Sequence, residues 1–221
     1  MFTTRRALLA AALAPIVAPV AAHAQGIPAP AEWLRAHPGF AAWETPTRPA
    51  DRLMNARIDT GGSRITTREW LGGRPTVLAV WATWCAPCLV EKRPEAILDA
   101  RLQAAGSRTQ VKALLAFDTG TLAESRTVLE RLGASTLGNA QATDVAEQSL
   151  LWTFGFDRER RSRSSRGSAY SQLSTVLPFT LLLDGNGGLL GRSTGVMRDA
   201  QRRSYWETPE AFDMLQRLGQ A

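Results

Sequence analysis

The chain has only two cysteines in 221 residues, Cys85 and Cys88, and they stand three positions apart. Before them, residues 75–81 form a short apolar and β-branched run that is typical of a buried central strand. After them, residues 89–105 favour a helix. Cys85 is therefore predicted to lie where a strand passes into a helix, so that unpaired N–H groups and the helix dipole stabilise its thiolate. A thiolate is a nucleophile, and Cys88 is placed to attack a mixed disulfide formed by Cys85.

Two other uses of the cysteine pair stay open at this stage. A bridge across four residues removes only about 2 kcal/mol of unfolded-chain entropy, against about 4 kcal/mol for a loop near 60 residues, so a purely structural disulfide would more often join distant segments. A zinc site needs four ligands, and the only histidines are His23 and His37. Redox chemistry is favoured, and it requires no metal and no organic cofactor because the electrons travel on the sulfurs.

The stretch Trp81-Ala82-Thr83-Trp84-Cys85-Ala86-Pro87-Cys88 closely resembles the active-site motif of thioredoxin-fold proteins of the TlpA/ResA type. These are exported thiol–disulfide oxidoreductases that include cytochrome c maturation factors. The resemblance extends more loosely over about residues 55–219. It implies a thioredoxin-like α/β fold with a central mixed sheet flanked by helices and an N-terminal β-hairpin extension. It also implies that the substrates are protein disulfides or dithiols and that a membrane donor of thiol type supplies electrons.

The resemblance also identifies a candidate proton acceptor. Thioredoxins carry a buried carboxylate six residues before the first cysteine, where this chain has Ala79. Glu91 lies three residues after Cys88, matches the acidic position of the family pattern, and is expected to accept the proton of Cys88. The alternative is a solvated glutamate near a helix N-terminus. Pro94 falls one position later than the helix-kinking proline of the family.

A second part of the substrate site is expected around Pro178. Residues 176–179 lead into an apolar run, and the turn at 184–188 follows it. This resembles the proline-headed hairpin of the family, in which the proline bond is cis and lies against the two cysteines; without the resemblance, a trans proline at a strand start is the simpler prediction. The backbone of Leu177 is then expected to pair with a substrate strand. Trp84 is predicted to contact the substrate as well.

Other segments give a coarse outline of the domain. Alternating residues around a turn at 59–62 predict a β-hairpin, after which Thr67 is expected to cap a short helical turn. A second buried strand is predicted over residues 111–117. Further helices are predicted to begin at Thr121, near Asp144 and at Thr208-Pro209. Strands that alternate with helices imply parallel pairing in an α/β sheet.

The N-terminal segment has the pattern of an export signal. Residues 1–24 contain Arg5-Arg6, an apolar stretch and an Ala22-His23-Ala24 cleavage site, which together resemble a signal peptide of the general or twin-arginine type. An uncleaved membrane anchor is the competing interpretation. Residues 25–51 are interpreted as a linker, and residues 52–221 as the thioredoxin-like domain. The expected location is the periplasm.

The charge of the chain is mildly basic, with a formal net charge of +6. Basic residues cluster densely only in a predicted loop over residues 157–174, which disfavours a nucleic-acid partner. We interpret this loop as an Arg-rich insertion. It is either a simple solvated loop or a docking surface for an acidic partner or an anionic lipid headgroup, in which case salt would weaken docking.

The sequence therefore predicts a periplasmic enzyme that exchanges thiols and disulfides through Cys85 and Cys88. Ala86-Pro87 resembles the dipeptides of reducing members of the family, so we expect a reductase of protein disulfides, with cytochrome c maturation as a family-level possibility. The alternatives are a dithiol oxidase and, from a different class, a non-catalytic metal carrier or chaperone that uses the two sulfurs as ligands.

Overall fold

The described part of the chain forms one mixed sheet with helices on both faces. The computed structural model describes residues 41–42, 48–155 and 177–220. The strands are β1 (Ala41–Ala42), β2 (Arg57–Asp59), β3 (Arg64–Thr66), β4 (Thr76–Trp81), β5 (Gln110–Leu115), β6 (Gly138–Gln141), β7 (Phe179–Leu183) and β8 (Leu189–Thr194). The helices are α1 (Arg48–Asn55), α2 (Thr67–Leu71), α3 (Ala86–Ala104), α4 (Leu122–Arg131), α5 (Val145–Gly155) and α6 (Pro209–Leu218), with a 3-10 turn at Tyr205–Glu207.

The strand order across the sheet is β1-β8-β7-β4-β5-β6-β2-β3. The central pairs β4–β5 and β5–β6 are parallel, whereas β7 runs antiparallel to β4 and to β8. A parallel β4–α3–β5 unit, an antiparallel β7–β8 hairpin beside it and a final helix make up the thioredoxin-like arrangement. The predicted fold class is confirmed. Strand β6 was not expected, because its Gly-Asn-Ala-Gln sequence lacks the β-branched and aromatic residues that mark strands.

Strand β4 is the centre of the core and leads into the site. All six of its residues are buried, and successive side chains point to opposite faces. Val77 and Trp81 belong to one hydrophobic cluster, which includes residues of α3 and α6 and also Cys88. Leu78 belongs to the cluster on the other face, which includes residues of α1 and α5. A strand covered on both faces lacks polar alternation, as the sequence indicated.

Helix α3 carries the cysteine pair at its N-terminus and continues through Pro94 as far as Ala104. The proline that stands one position late therefore does not end the helix. The face that α3 turns to the core is unusual, because several of its buried residues are charged. These residues are Glu91, Lys92, Glu95 and Asp99.

The predicted N-terminal hairpin is present as β2 and β3. Gly61 adopts a positive φ of 91° in its turn, and its N–H donates to the Asp59 carboxylate. The cap of the following helix is one residue earlier than expected. Thr66, not Thr67, is the N-cap of α2, because its hydroxyl accepts from Glu69 N while the Glu69 carboxylate accepts from Thr66 N.

The later helix starts agree with the sequence predictions. Thr121 caps α4 in a capping box with Glu124, and Thr208 caps α6 with a proline in its first turn. Helix α5 begins at Val145, one residue after the expected position.

Several expected segments fall outside the described residues. They are the signal peptide at 1–24, most of the linker at 25–51 and the Arg-rich insertion at 157–174. Within the linker range, β1 pairs with β8, and α1 crosses the position at which the domain was expected to start. In the ranges that are described, none of the helices has the length and apolarity needed to cross a membrane.

Candidate active site

The two cysteines form a disulfide at the N-terminus of α3, with their Cα atoms 5.2 Å apart. Cys85 is the N-cap residue, and its Sγ accepts a hydrogen bond from Cys88 N at 3.2 Å. A cap sulfur in this position receives N–H donation and the positive end of the helix dipole, both of which stabilise negative charge. Cys85 is 4% exposed and Cys88 is completely buried. Only Cys85 is therefore open to attack from outside.

The loop that delivers Cys85 is held by the end of the neighbouring strand. Thr83 donates to the Asp118 carboxylate from its N–H at 2.5 Å and from its hydroxyl at 2.7 Å, and Gly120 N donates to the other carboxylate oxygen. Partial burial acts to raise the pKa of Asp118, but these hydrogen bonds outweigh it and the pKa is lowered. Asp118 therefore stays ionised and fixes the loop.

Trp84, a predicted substrate-binding residue, is the most exposed part of this loop. Its side chain is 64% exposed, although its indole Nε1 donates to the carbonyl of Phe117 at 2.8 Å. The ring is thus held in place beside Cys85 and still faces solvent. Neither Asp118 nor Phe117 was identified from the sequence; their position at the carboxyl end of the strand parallel to β4 is the signal that could have found them.

Glu91, the predicted proton acceptor, lies beneath the cysteine pair. It is 1% exposed, so the alternative of a solvated glutamate is wrong. One carboxylate oxygen accepts from Met197 N at 2.8 Å, and the other has no hydrogen-bond partner among the described residues. Burial, followed by the charge of Glu95, raises the pKa of Glu91 to about 7, against the opposing effects of the Met197 hydrogen bond and of neighbouring cations. A carboxyl with this pKa can accept and release a proton near neutral pH.

A buried ion pair lies one turn further along α3. The ammonium of Lys92 is 2.6 Å from a Glu95 carboxylate oxygen, and both side chains are completely buried. Lys92 Nζ also lies 5.5 Å from the centroid of the Trp81 ring. Burial raises the pKa of Glu95, and Lys92 opposes that rise.

The ion pair was missed at the sequence level, but it has a recognisable signal. Cys88, Glu91, Lys92 and Glu95 follow the i, i+3, i+4, i+7 spacing of a single helix face. Once the cysteine is placed in the core, this spacing puts the charged residues there as well.

The structure brings the Leu177-Pro178 segment to the same site. The bond before Pro178 is cis, so the simpler trans prediction is wrong. Leu177 packs against the hydrophobic cluster that contains both cysteines. The Pro178 carbonyl accepts from Gly195 N at 2.7 Å, and Met197, two residues later, donates to Glu91. Short backbone contacts thus join the hairpin to the buried carboxyl.

The residue six positions before Cys85, Ala79, is buried and cannot serve as an acid or base. Glu91, in contrast, is a buried carboxyl on α3. Within the residues that the structure describes, no group of three or more His, Cys, Asp or Glu side chains is arranged to hold a metal ion.

No protein-family model matches the chain, and no curated protein matches it. Solved structures do align with it. A putative thiol:disulfide interchange protein DsbE from Chlorobium tepidum is 18% identical, with 72% of this chain and 92% of that chain covered and a TM-score of 0.45. A secreted thiol-disulfide isomerase from Corynebacterium glutamicum is 19% identical, covering 72% and 78%, also with a TM-score of 0.45. A secreted Mycobacterium tuberculosis disulfide oxidoreductase is 13% identical, covering 77% and 99%, with the same TM-score. At such values, function has to be inferred from the site itself.

Proposed function

We propose that the protein is a thiol–disulfide oxidoreductase that exchanges electrons with protein substrates through Cys85 and Cys88. The observation that carries this proposal is the asymmetry of the pair. One sulfur caps a helix and reaches the surface, whereas the other is buried and is followed one helical turn later by a buried carboxyl with a pKa near neutral. A bridge with only a structural role needs neither the difference in access nor the buried acid.

In the reducing direction, the Cys85 thiolate attacks one sulfur of a substrate disulfide. The substrate S–S bond breaks, and the second substrate sulfur leaves as a thiolate that takes a proton from solvent. Cys88 then gives its proton to Glu91, and its sulfur attacks Cys85 Sγ. The first substrate sulfur leaves and receives the proton from Glu91. Two electrons pass from the dithiol to the substrate, and a dithiol donor has to restore the pair.

The substrate is proposed to lie against three residues around Cys85. Trp84 offers an exposed aromatic surface next to the sulfur. Leu177 packs against the hydrophobic cluster that contains both cysteines, and a cis bond joins it to Pro178. An extended substrate segment would pair its backbone with Leu177, which fixes the target sulfur for in-line attack.

Direction and location are also proposals. The resemblance of Ala86-Pro87 to reducing members supports a reductase that draws electrons from a membrane thiol donor. The N-terminal pattern of residues 1–24 supports export to the periplasm, and cytochrome c apoproteins are the client class that the family resemblance suggests.

Trapping and turnover together test the proposal. The reduced Cys88→Ser variant should accumulate a mixed disulfide between Cys85 and a protein substrate that contains a disulfide. The Cys85→Ser variant should not. The wild type should reduce insulin with dithiothreitol as donor, and the potential of its cysteine pair should lie nearer the reducing end of the range of about −270 to −120 mV. A protein that shows no turnover and binds copper or zinc tightly would be a metal carrier instead. A potential near the oxidising end would make it a dithiol oxidase.

A further inference from the structure

An apolar surface extends from Trp84, beside the redox site, to Val145. Among the described residues, four large hydrophobic side chains are exposed, and Trp84 at 64% and Val145 at 79% are the most exposed of them. Both border Phe117. The Trp84 indole donates a hydrogen bond to the carbonyl of Phe117, and Val145 and Phe117 line the same pocket. Exposed apolar side chains that adjoin one another mark interaction sites more often than isolated ones do.

A pocket beside Phe117 is lined by uncharged residues. It has a volume of about 320 Å³ and is lined by Phe117, Val145, Gln148, Ser149 and Trp152. The rings of Phe117 and Trp152 meet edge to face, with centroids 5.6 Å apart. An uncharged, partly aromatic pocket accepts an apolar side chain and has no cationic group to pair with a phosphate or a carboxylate.

The backbone holds Phe117 in an unusual conformation. Its φ is 57°, in the left-handed region that a bulky side chain rarely adopts. The next residue, Asp118, is fixed by its hydrogen bonds to Thr83 and Gly120. The Phe117 carbonyl can therefore meet Trp84 while its ring faces Trp152. Residues held in sparsely populated backbone conformations cluster at active sites and ligand clamps.

We propose that this surface, formed by Trp84, Phe117, Val145 and Trp152 and named here the Phe117 surface, binds an apolar side chain of the client polypeptide close to its reacting cysteine. The inference rests on the proposed function. A client sulfur must approach Cys85, and Trp84 is the residue directly before Cys85. The client chain that flanks the reacting cysteine therefore passes beside Trp84. The surface is continuous with that contact through the Trp84–Phe117 hydrogen bond.

The test compares disulfides with and without a neighbouring apolar side chain. The reduced full-length protein is mixed in single turnover with oxidised glutathione and with two peptide disulfides, one flanked by leucine and phenylalanine and the other by serine and glutamine. Val145→Asp should keep the fold, because an acidic residue is favourable in the first turn of a helix. Ile97→Asp is the matched control, because Ile97 is 41% exposed on α3 and is not among the residues that line the pocket.

We expect Val145→Asp to lower the second-order rate constant about tenfold for the apolar peptide. The rates with the polar peptide and glutathione should not change, and Ile97→Asp should change none of the three. Trp152→Gln, a second variant at the pocket wall, should show the same selectivity.

Several results would overturn the proposal. One is an equal effect of Val145→Asp on both peptides. Another is an acceleration of the apolar peptide by this variant, which would mean that another part of the chain normally covers the surface. A third is conversion of a dimer to a monomer in sedimentation with peptide rates unaltered, which would identify a contact between copies. If the wild type exchanged with none of the three disulfides, the proposed function itself would be refuted, and this inference with it.

Discussion

Replacement of Glu91 by glutamine should remove one specific contribution to the pH dependence of stability. The carboxyl has an ordinary pKa of 4.5 in the unfolded chain and a pKa of about 7 in the folded protein. Between these values the folded protein keeps a proton that the unfolded chain has released. The stabilising contribution is thus complete below pH 4.5 and is lost as the pH rises through about 7. A tenfold difference in proton affinity is worth about 1.4 kcal/mol, so the loss amounts to about 3 kcal/mol.

The measurement is urea unfolding of the oxidised wild type and of Glu91→Gln at a series of pH values. The unfolding free energy of the wild type, relative to the variant, should fall by about 3 kcal/mol between about pH 4 and about pH 8. Lys92, Glu95 and Arg198, the charged neighbours of this carboxyl, are present in both proteins.

Glu124→Gln is the matched control with the opposite sign. The Thr121 backbone and hydroxyl lower the pKa of Glu124, which is exposed, so its contribution is present at higher pH and is lost as the pH falls. A wild-type curve that runs parallel to that of Glu91→Gln across this range would refute the reasoning that Glu91 is protonated in the oxidised protein at acidic pH.

Three further predictions concern the supports of the site. Glu95→Gln leaves the buried Lys92 ammonium without its counter-charge and should lower the free energy of unfolding in urea by about 3–5 kcal/mol. The double variant Lys92→Met/Glu95→Gln should regain most of this stability. If the effects of the two single substitutions simply added in the double variant, the pair would not be coupled. Asp118→Ala removes the acceptor of the Thr83 bonds and should cost about 1–3 kcal/mol and slow exchange, so an unchanged rate would argue against the anchoring role. Thr208→Ala removes the cap of α6 and should cost about 1 kcal/mol with no change in exchange rate, because this cap lies in a different helix from the cysteine pair.

The fold could be predicted where local chemistry and tertiary context agree. The run before Cys85 is apolar and is buried on both faces, and the capping residues Thr121 and Thr208 do begin helices. Strand β6 escaped prediction because its pairing with β5, not its own composition, makes it a strand. The Thr66 cap was misplaced by one residue because two adjacent threonines offer the same hydroxyl, and only the reach of Glu69 decides between them.

In the candidate site, too, some residues could be predicted from the sequence and others could not. The cysteine pair and Glu91 could be selected because spacing and family resemblance both identify them, and Pro178 could be selected from the resemblance alone. The Lys92–Glu95 pair could not, since charged residues in a helix are usually solvated and only the packing of α3 against Trp81 buries them. Phe117 and Trp152 lie 35 positions apart in sequence, and their contact depends on how α5 packs beside β5.

The edges of the sheet bear on how the proposed polypeptide substrates would associate with the molecule. In the described residues the outermost strands, β1 and β3, are only two and three residues long, and Arg57 reaches across to the carbonyl of Arg64 at one border. Such short borders give a non-native polypeptide little template along which to add β-structure. We therefore expect the sheet borders to limit the recruitment of a proposed polypeptide substrate into a shared aggregate.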